Sequence, residues 1–416
     1  MSVTQTCRRA AQASAVVKQL TTRQKNEVLL SVAAALERHR AEILAANARD
    51  VESARLAGLS CTIVDRLTLT TARMAGLAAA VRTIAGLPDP VGQVVAGWTT
   101  ASGLLIERVR NPLGVVAVIY EARPTVTAEA AALCLKSGNC TVLRGSTMAE
   151  HSNAAIVAAM AAAIAEHPAV PSAAVQLVCD LSRDAALELM RAKDLVDLLV
   201  PRGGAELIAT VEENATVPTV IDGAGNCHVY IDGSADPDMA TAIAINAKTS
   251  RPSVCNAMET LLVHEALAGF WLPGVLDELA AAGVQVRGCP RVAEVWPKAL
   301  PAQEDDWGRE YLDLVLAVRV VRDVEEAIAH IDRWGTGNAE GIVTRDIDAA
   351  RRFAQAVEAG SVFVNASTRY SDGGEFGFGV EIGVSTQKLH VRGPMGLEAL
   401  TTVKNVVWGT GQTRIV

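Results

Sequence analysis

Apolar positions in the N-terminal stretch recur with the helical period. Val28, Leu29, Val32 and Leu36 share one face, and Thr21 followed by Gln24 has the pattern of a capping box opening that helix. A second piece runs through Ile43, Leu44, Ala48 and Val51 and stops at Gly58. A third spans 71–85 and ends at Gly86 and Pro88. The expectation is an N-terminal layer of three helices. At Val94 the period shortens, and residues 94–107 read as two strands joined by a turn near Ser102 and Gly103. Such a hairpin is either a subunit contact or an ordinary surface feature.

From Val115 onward short apolar runs alternate with Ala-rich segments. Strands are expected at 115–120, 141–144, 175–179, 195–200 and 217–221, with helices at 126–136, 151–166, 183–190 and 205–214. Short apolar strands with helical crossovers mean a parallel sheet covered on both faces. A helix at 238–248 follows, and then the texture repeats. Strands fall at 259–264, 284–287, 314–321, 341–345 and 361–367, and helices at 267–282, 324–334 and 347–359. Two α/β domains are implied. Residues 365–379, rich in glycine and polar groups, read as a loop around a small polar ligand or as a long turn. The tail from Leu400 reads as an edge strand able to pair with a hairpin of another subunit.

Composition narrows the function classes. Of 416 residues half are apolar, enough for two or three domains. Aromatics are 4%, net charge is −8, and no Lys/Arg-rich run occurs, so a nucleic acid is not an expected partner. The N-terminus lacks the apolar core of a signal peptide, and no uninterrupted apolar run approaches the ~20 residues of a membrane span. The expected setting is the reducing cytoplasm, with no membrane partner. Eight scattered cysteines form no CxxC pair and no HExxH occurs, so no metal site is expected. GxSxG and GxxxxGK[ST] are also missing, which argues against a hydrolase elbow and a P-loop.

Candidate chemistry remains at three places. Arg144-Gly145-Ser146 and Pro201-Arg202-Gly203-Gly204 end two strands, where glycine, a helix N-terminus and an arginine suit a phosphate, or where a plain turn suffices. The third is 246–264, NAKTSRPSVCNAMETLLVH. It holds one thiol, Cys255, near Lys248 and Arg251, behind a bend fixed by Pro252. Nearby positive charge favours the reactive thiolate; the alternative is an inert core cysteine.

Further residues carry a resemblance. The runs VIYEARPTVT (118–127), CLKSGNCTVLRG (134–145), PRGG (201–204), GNCHVY (225–230), EYLD (310–313), NASTRYSDGG (365–374) and STQKLHVRGPMGLEAL (385–400) accompany the Cys255 segment in order along the whole chain. The chain resembles the γ-glutamyl phosphate reductases (glutamate-5-semialdehyde dehydrogenases), a branch of the aldehyde dehydrogenase superfamily. The resemblance implies an α/β fold of two Rossmann-like domains plus a small oligomerisation β-flap. It implies an NADP(H)-binding domain at 1–97 and 108–232, a catalytic domain at 233–405, and a flap from 98–107 and 406–416. The implied activity is NADPH-dependent reduction of L-glutamyl 5-phosphate to L-glutamate 5-semialdehyde with release of phosphate, the second step of proline biosynthesis.

Cys255 matches the nucleophile of that family, and Asn256 is a second oxyanion donor or a side chain bonded to a neighbouring turn. Arg144, Gly145, Ser146, Pro201, Arg202, Gly203 and Gly204 match the cofactor loops, and Glu310 the glutamate that meets the nicotinamide ribose. Arg123, Lys248 and Arg251 are candidates for the substrate phosphate, or for ordinary surface ion pairs. Asn365, Ser367, Thr368 and Arg369 are candidates for its amino-acid end, with a structural role open for Arg369. Three positions depart from the usual pattern: Thr125 for Asn, Ser146 for Gly and Asn338 for His. The segment 222–228, where hydrolytic aldehyde dehydrogenases carry a glutamate base, has none here, although Asp222 could stand in. A homo-oligomer is expected, and glutamate kinase is a candidate partner. The rival readings are a hydrolytic aldehyde dehydrogenase and a non-catalytic scaffold for that kinase.

Overall fold

The computed structural model describes residues 1–414 and divides them into two units. Unit 1 comprises Met1–Ile221, Phe378–Gly383 and the described residues from Met395 onward; unit 2 comprises Asp222–Gly377 and Val384–Pro394. The division falls at Ile221/Asp222, where 232/233 was expected. It comes earlier because the strand at Cys227–Ile231 pairs within the second sheet.

Unit 1 opens with five helices: α1 (Val3–Val17), α2 (Thr22–Arg38), α3 (Arg40–Leu56), α4 (Cys61–Leu67) and α5 (Thr71–Gly86). The Thr21/Gln24 capping box is present, and Val28, Leu29, Val32 and Leu36 are buried. The sequence reading missed α1, whose buried face of Val3, Thr6, Cys7, Ala10, Ala13 and Val17 consists of small side chains at helical spacing. Next come the hairpin strands β1 (Val94–Thr99) and β2 (Leu105–Pro112), and then β3 (Val115–Tyr120), α6 (Thr125–Lys136), β4 (Cys140–Arg144), α7 (Glu150–Ala165), β5 (Val175–Leu177), α8 (Arg183–Met190), β6 (Leu198–Arg202) and α9 (Ala205–Asn214). The sheet is parallel, in the order β5-β4-β3-β6. Its central strand β3 is buried at all six positions, as its unbroken apolar run requires. The strand expected at 217–221 is reduced to one bridge, Leu199 to Thr219, because Pro218 has no N–H to extend a ladder. Among the described residues one helical run, Thr147–Ala165, is long and apolar enough to cross a membrane, and its Ile156, Met160, Ala163 and Ile164 are buried in the protein.

Unit 2 is a second α/β layer: β7 (Cys227–Ile231), α10 (Pro237–Thr249), β8 (Met258–His264), α11 (Leu272–Ala281), β9 (Gln285–Gly288), α12 (Pro290–Val295), β10 (Leu300–Pro301), β11 (Val315–Val321), α13 (Val324–Trp334), β12 (Ala339–Val343), α14 (Ile347–Ala356) and β13 (Ser361–Val364). Its seven strands run parallel in the order β10-β9-β11-β8-β7-β12-β13. Alternate residues feed two cores. Val229, Ile231, Leu261 and Val263 join one with α10 and α11, and Tyr230, Leu262 and Ile342 join the other with α13 and Phe353. A two-stranded ladder, β14 (Val384–Ser385) with β15 (Gly393–Pro394), completes the unit.

The last strand, β16 (Thr401–Trp408), pairs antiparallel with β2 of the same chain, giving a sheet ordered β1-β2-β16. This corrects the expectation that the tail pairs with a hairpin from another subunit. Eight consecutive residue pairs, from Thr401/Pro112 to Trp408/Leu105, fix the register. The flap is accordingly longer than 98–107 and begins at Val94. Residues 415–416 of the segment expected at 406–416 lie outside the described residues.

Candidate functional site

Helix α10 delivers the loop of unit 2 that carries Cys255. Asp236 accepts from the Met239 N–H at 3.0 Å and Pro237 occupies the first turn, so the helix start is fixed from its own sequence. The helix ends at Ser250, and the chain bends through Arg251–Ala257 into β8, the second central strand. Cys255 is half-buried on this bend and Arg251 is exposed.

The backbone at Cys255 is held by the segment before β7. A Cβ added at Gly225 would lie 1.8 Å from the Cys255 carbonyl oxygen, so only glycine permits this approach. The buried Cys227 thiol donates to the same carbonyl at 3.1 Å. Asn226 anchors the segment: its amide donates to Trp307 and Trp334 carbonyls at 2.7 and 2.9 Å, and its N–H donates to Thr336 at 3.0 Å. Gly225 and Cys227 lie in GNCHVY, yet neither is an expected site residue. The signal is a glycine-rich segment, DGAG, that ends one residue short of a strand.

Asn256 is almost fully buried, and its amide donates to the carbonyls of Ser371 at 3.0 Å and Arg369 at 3.4 Å. Both its N–H bonds are thus committed to the 368–371 turn. The side chain is bonded to a neighbouring turn, the alternative set beside the oxyanion-donor role. Arg369 closes the arrangement by donating to the Asn256 side-chain oxygen and, at 3.1 Å, to Ser250. Burial, followed by the Arg251 charge, holds Arg369 below the ordinary guanidinium value, while Asp372 and Cys255 pull the other way. Arg251, Arg369 and Cys255 therefore share one electrostatic neighbourhood.

The other expected substrate residues of unit 2 serve the scaffold. Thr368 donates to the Asn256 carbonyl at 2.8 Å, and Ser367 caps its own turn by accepting from Arg369 N–H at 3.3 Å. Asn365, at φ 57°, exchanges two bonds with the Thr344 backbone at 2.8 and 2.9 Å. Lys248 is the clearest relocation. It is fully buried with its ammonium 2.6 Å from the Glu259 carboxylate, so its charge is not presented to a substrate phosphate. Burial pushes Lys248 below its ordinary value and lifts Glu259 to about 7, each against the pull of its partner. Glu310 is half-buried and accepts from the Gly225 N–H at 2.8 Å. Burial raises its pKa, the Gly225 N–H opposes, and Asp222 adds to the rise.

In unit 1 the expected cofactor residues gather at the carboxyl ends of β3, β4 and β6, where open α/β sheets bind ligands. Arg144 donates to the Leu181 and Ser182 carbonyls at 2.7 and 3.0 Å, so it fastens a neighbouring loop. A Cβ at Gly145 would meet Asn153 at 2.0 Å. Ser146 has a buried hydroxyl without a hydrogen-bond partner, which fits a group supplied by a ligand. At the start of α9 the Gly204 N–H donates to Glu121 at 2.9 Å, and a Cβ on Gly203 would meet that carboxylate at 2.7 Å. Glu121, unassigned from the sequence, thus takes an N–H that a phosphate would use. Arg123 is exposed on the same unit, and burial lifts the Glu129 carboxyl nearby against the charges of Arg202 and Arg123.

The model of the aldehyde dehydrogenase family matches residues 1–286 and 307–406. The chain is 54% identical to a γ-glutamyl phosphate reductase of Carboxydothermus hydrogenoformans and 53% identical to one of Thermobifida fusca, covering 98% of this chain in both and 98% and 97% of those proteins. The crystal structure of the Thermotoga maritima γ-glutamyl phosphate reductase superposes with a TM-score of 0.97 at 46% identity, over 100% of both chains.

Proposed function

The chain belongs to the aldehyde dehydrogenase family, in its γ-glutamyl phosphate reductase branch, and from that premise we propose that it reduces L-glutamyl 5-phosphate to L-glutamate 5-semialdehyde with NADPH and releases phosphate, as the second step of L-proline biosynthesis. The observation that carries this reading is the half-buried Cys255 thiol, on a bend held by Gly225 and Cys227 and within the electrostatic reach of Arg369.

The Cys255 thiolate attacks the acyl phosphate carbon, the carbon–oxygen bond to phosphate breaks, and a thioester remains on sulfur. Charge builds on the carbonyl oxygen, and the Cys255 backbone N–H is the donor nearest to hand. Arg251, exposed four residues before the thiol, and Arg369 supply the positive field for the departing phosphate and for the substrate carboxylate. NADPH, when bound, supplies the hydride that reduces the thioester carbon. In unit 1 the unpartnered Ser146 hydroxyl and the Gly203–Gly204 turn would hold its phosphates, with Glu121 giving up the Gly204 N–H; in unit 2 Glu310 is assigned its ribose, the role the resemblance implies. Collapse of the hemithioacetal then frees the aldehyde and regenerates the thiolate.

No glutamate stands in the 222–228 segment, so no carboxylate of that kind activates water against the thioester. This favours phosphate over water as the acyl partner. The enzyme works in the cytoplasm as a homo-oligomer joined through the β1-β2-β16 flap, with transfer of the labile acyl phosphate from glutamate kinase as a candidate partnership. Cys255→Ser tests the covalent route. It is expected to abolish phosphate-dependent reduction of NADP⁺ by glutamate semialdehyde with the fold intact by circular dichroism; substantial remaining turnover would refute it.

A further inference from the structure

We propose that the buried Lys248–Glu259 pair is the positioning element for the Glu310 carboxylate, so that the loop carrying the nucleophile and the residue facing the cofactor are set by one connected structure. The inference rests on the reading that Glu310 meets the cofactor ribose. Lys248 closes α10 before Cys255, and Glu259 lies in β8 after it; both side chains have no exposed surface. One Glu259 oxygen accepts from the Lys248 ammonium at 2.6 Å, and the other accepts from the Leu312 N–H at 3.1 Å.

Leu312 has φ 54°, the left-handed conformation that a leucine adopts only when its surroundings impose it. Its side chain is 37% exposed, so packing of that side chain does not impose it. The hydrogen bond to Glu259 does, together with Tyr311, whose ring centre lies 6.0 Å from the Lys248 ammonium and whose hydroxyl donates to Asp306 at 2.8 Å. Two residues earlier, Glu310 accepts from the Gly225 N–H at 2.8 Å, and Gly225 lies against the Cys255 carbonyl. The connections therefore begin beside the nucleophile, pass through the Glu310 turn and return to the nucleophile.

A buried ion pair is a weak stabiliser compared with an apolar pair of the same volume, and positional specificity is the better reason for one. The chemistry here calls for a carboxylate. Its two oxygens hold the ammonium and the backbone N–H together, whereas a glutamine has one carbonyl oxygen to divide between them.

The test is a double-mutant cycle on NADPH affinity, read by fluorescence titration of the full-length enzyme: wild type, Glu259→Gln, Glu310→Gln and the double variant. Each single change is expected to weaken NADPH binding about tenfold, and the double variant no more than Glu310→Gln alone. Additive losses would overturn the proposal while leaving the cofactor role of Glu310 standing. An unchanged affinity in Glu310→Gln would instead refute that role, and the proposal with it. If Glu259→Gln does not fold, the paired change Lys248→Met with Glu259→Leu takes its place in the cycle, since it removes the charges together and keeps the volume. It is expected to hold the melting temperature and lose NADPH affinity; retained affinity would overturn the proposal.

Discussion

At position 225 an added Cβ would lie 1.8 Å from one backbone oxygen and 2.5 Å from the adjoining carbonyl carbon, both belonging to Cys255. Neither atom can move without moving Cys255. Gly225→Ala should therefore lower kcat by ~100-fold or more, the scale of a displaced reacting group, and cost about 1–3 kcal/mol through overpacking. Steady-state kinetics and a denaturant titration check both; wild-type kcat would mean that the loop tolerates displacement. A second residue governs acid stability. His330 is buried, edge-on to Trp307 and His228, and burial, then the charges of His228, Arg319 and Arg333, push its pKa from 6.5 down to about 2. The unfolded chain thus takes up a proton below about 6.5 that the folded one refuses. The stability this histidine contributes is complete above that pH and drains away as pH falls toward 2. His330→Phe should flatten the acid side of the melting-temperature profile by up to about 1.4 kcal/mol per pH unit over that range. An identical slope in the two proteins would show that His330 does not set it.

Among the elements, the turn at 368–371 depends on Asn256, which satisfies two of its carbonyls, and on Thr368, which returns a bond to the Asn256 backbone. Asn256→Ala leaves those carbonyls unpaired at a cost of about 1–3 kcal/mol and frees Arg369 from one acceptor. The KM for glutamate semialdehyde should rise several-fold with the Cys255 alkylation rate little changed; a fall in alkylation with KM constant would return Asn256 to the reacting centre. The two parallel sheets, the long helices and the hairpin were legible in the sequence because their apolar periods are strong. Helix α1 was not, since its buried face is built of alanine, threonine and cysteine as well as valine. The bend at Cys255 was legible from Pro252, and the thiol there is half-buried. The fate of its neighbours was not legible. Lys248 closes an expected helix and Asn365 opens an expected loop, and only the three-dimensional structure pairs them with Glu259 and with the Thr344 backbone. Gly225 and Leu312 escaped for a related reason: their roles lie in backbone approach and backbone conformation, which side-chain chemistry does not announce.

For the whole molecule, the flap leaves Val94, Val95, Trp98, Leu105, Val403, Val407 and Trp408 exposed on three strands, more apolar surface than a small sheet keeps in water unaided. Trp408→Asp should shift the mass measured by light scattering toward the single chain; an unchanged mass would move the subunit contact elsewhere. The central claim, a covalent acyl enzyme whose acyl partner is phosphate, has one direct measurement. Glutamate semialdehyde and NADP⁺ are mixed with the enzyme, with and without inorganic phosphate, and NADPH is followed by its near-ultraviolet absorbance. The account predicts sustained NADPH formation only when phosphate is present; equal turnover without it, yielding free glutamate, would contradict the account.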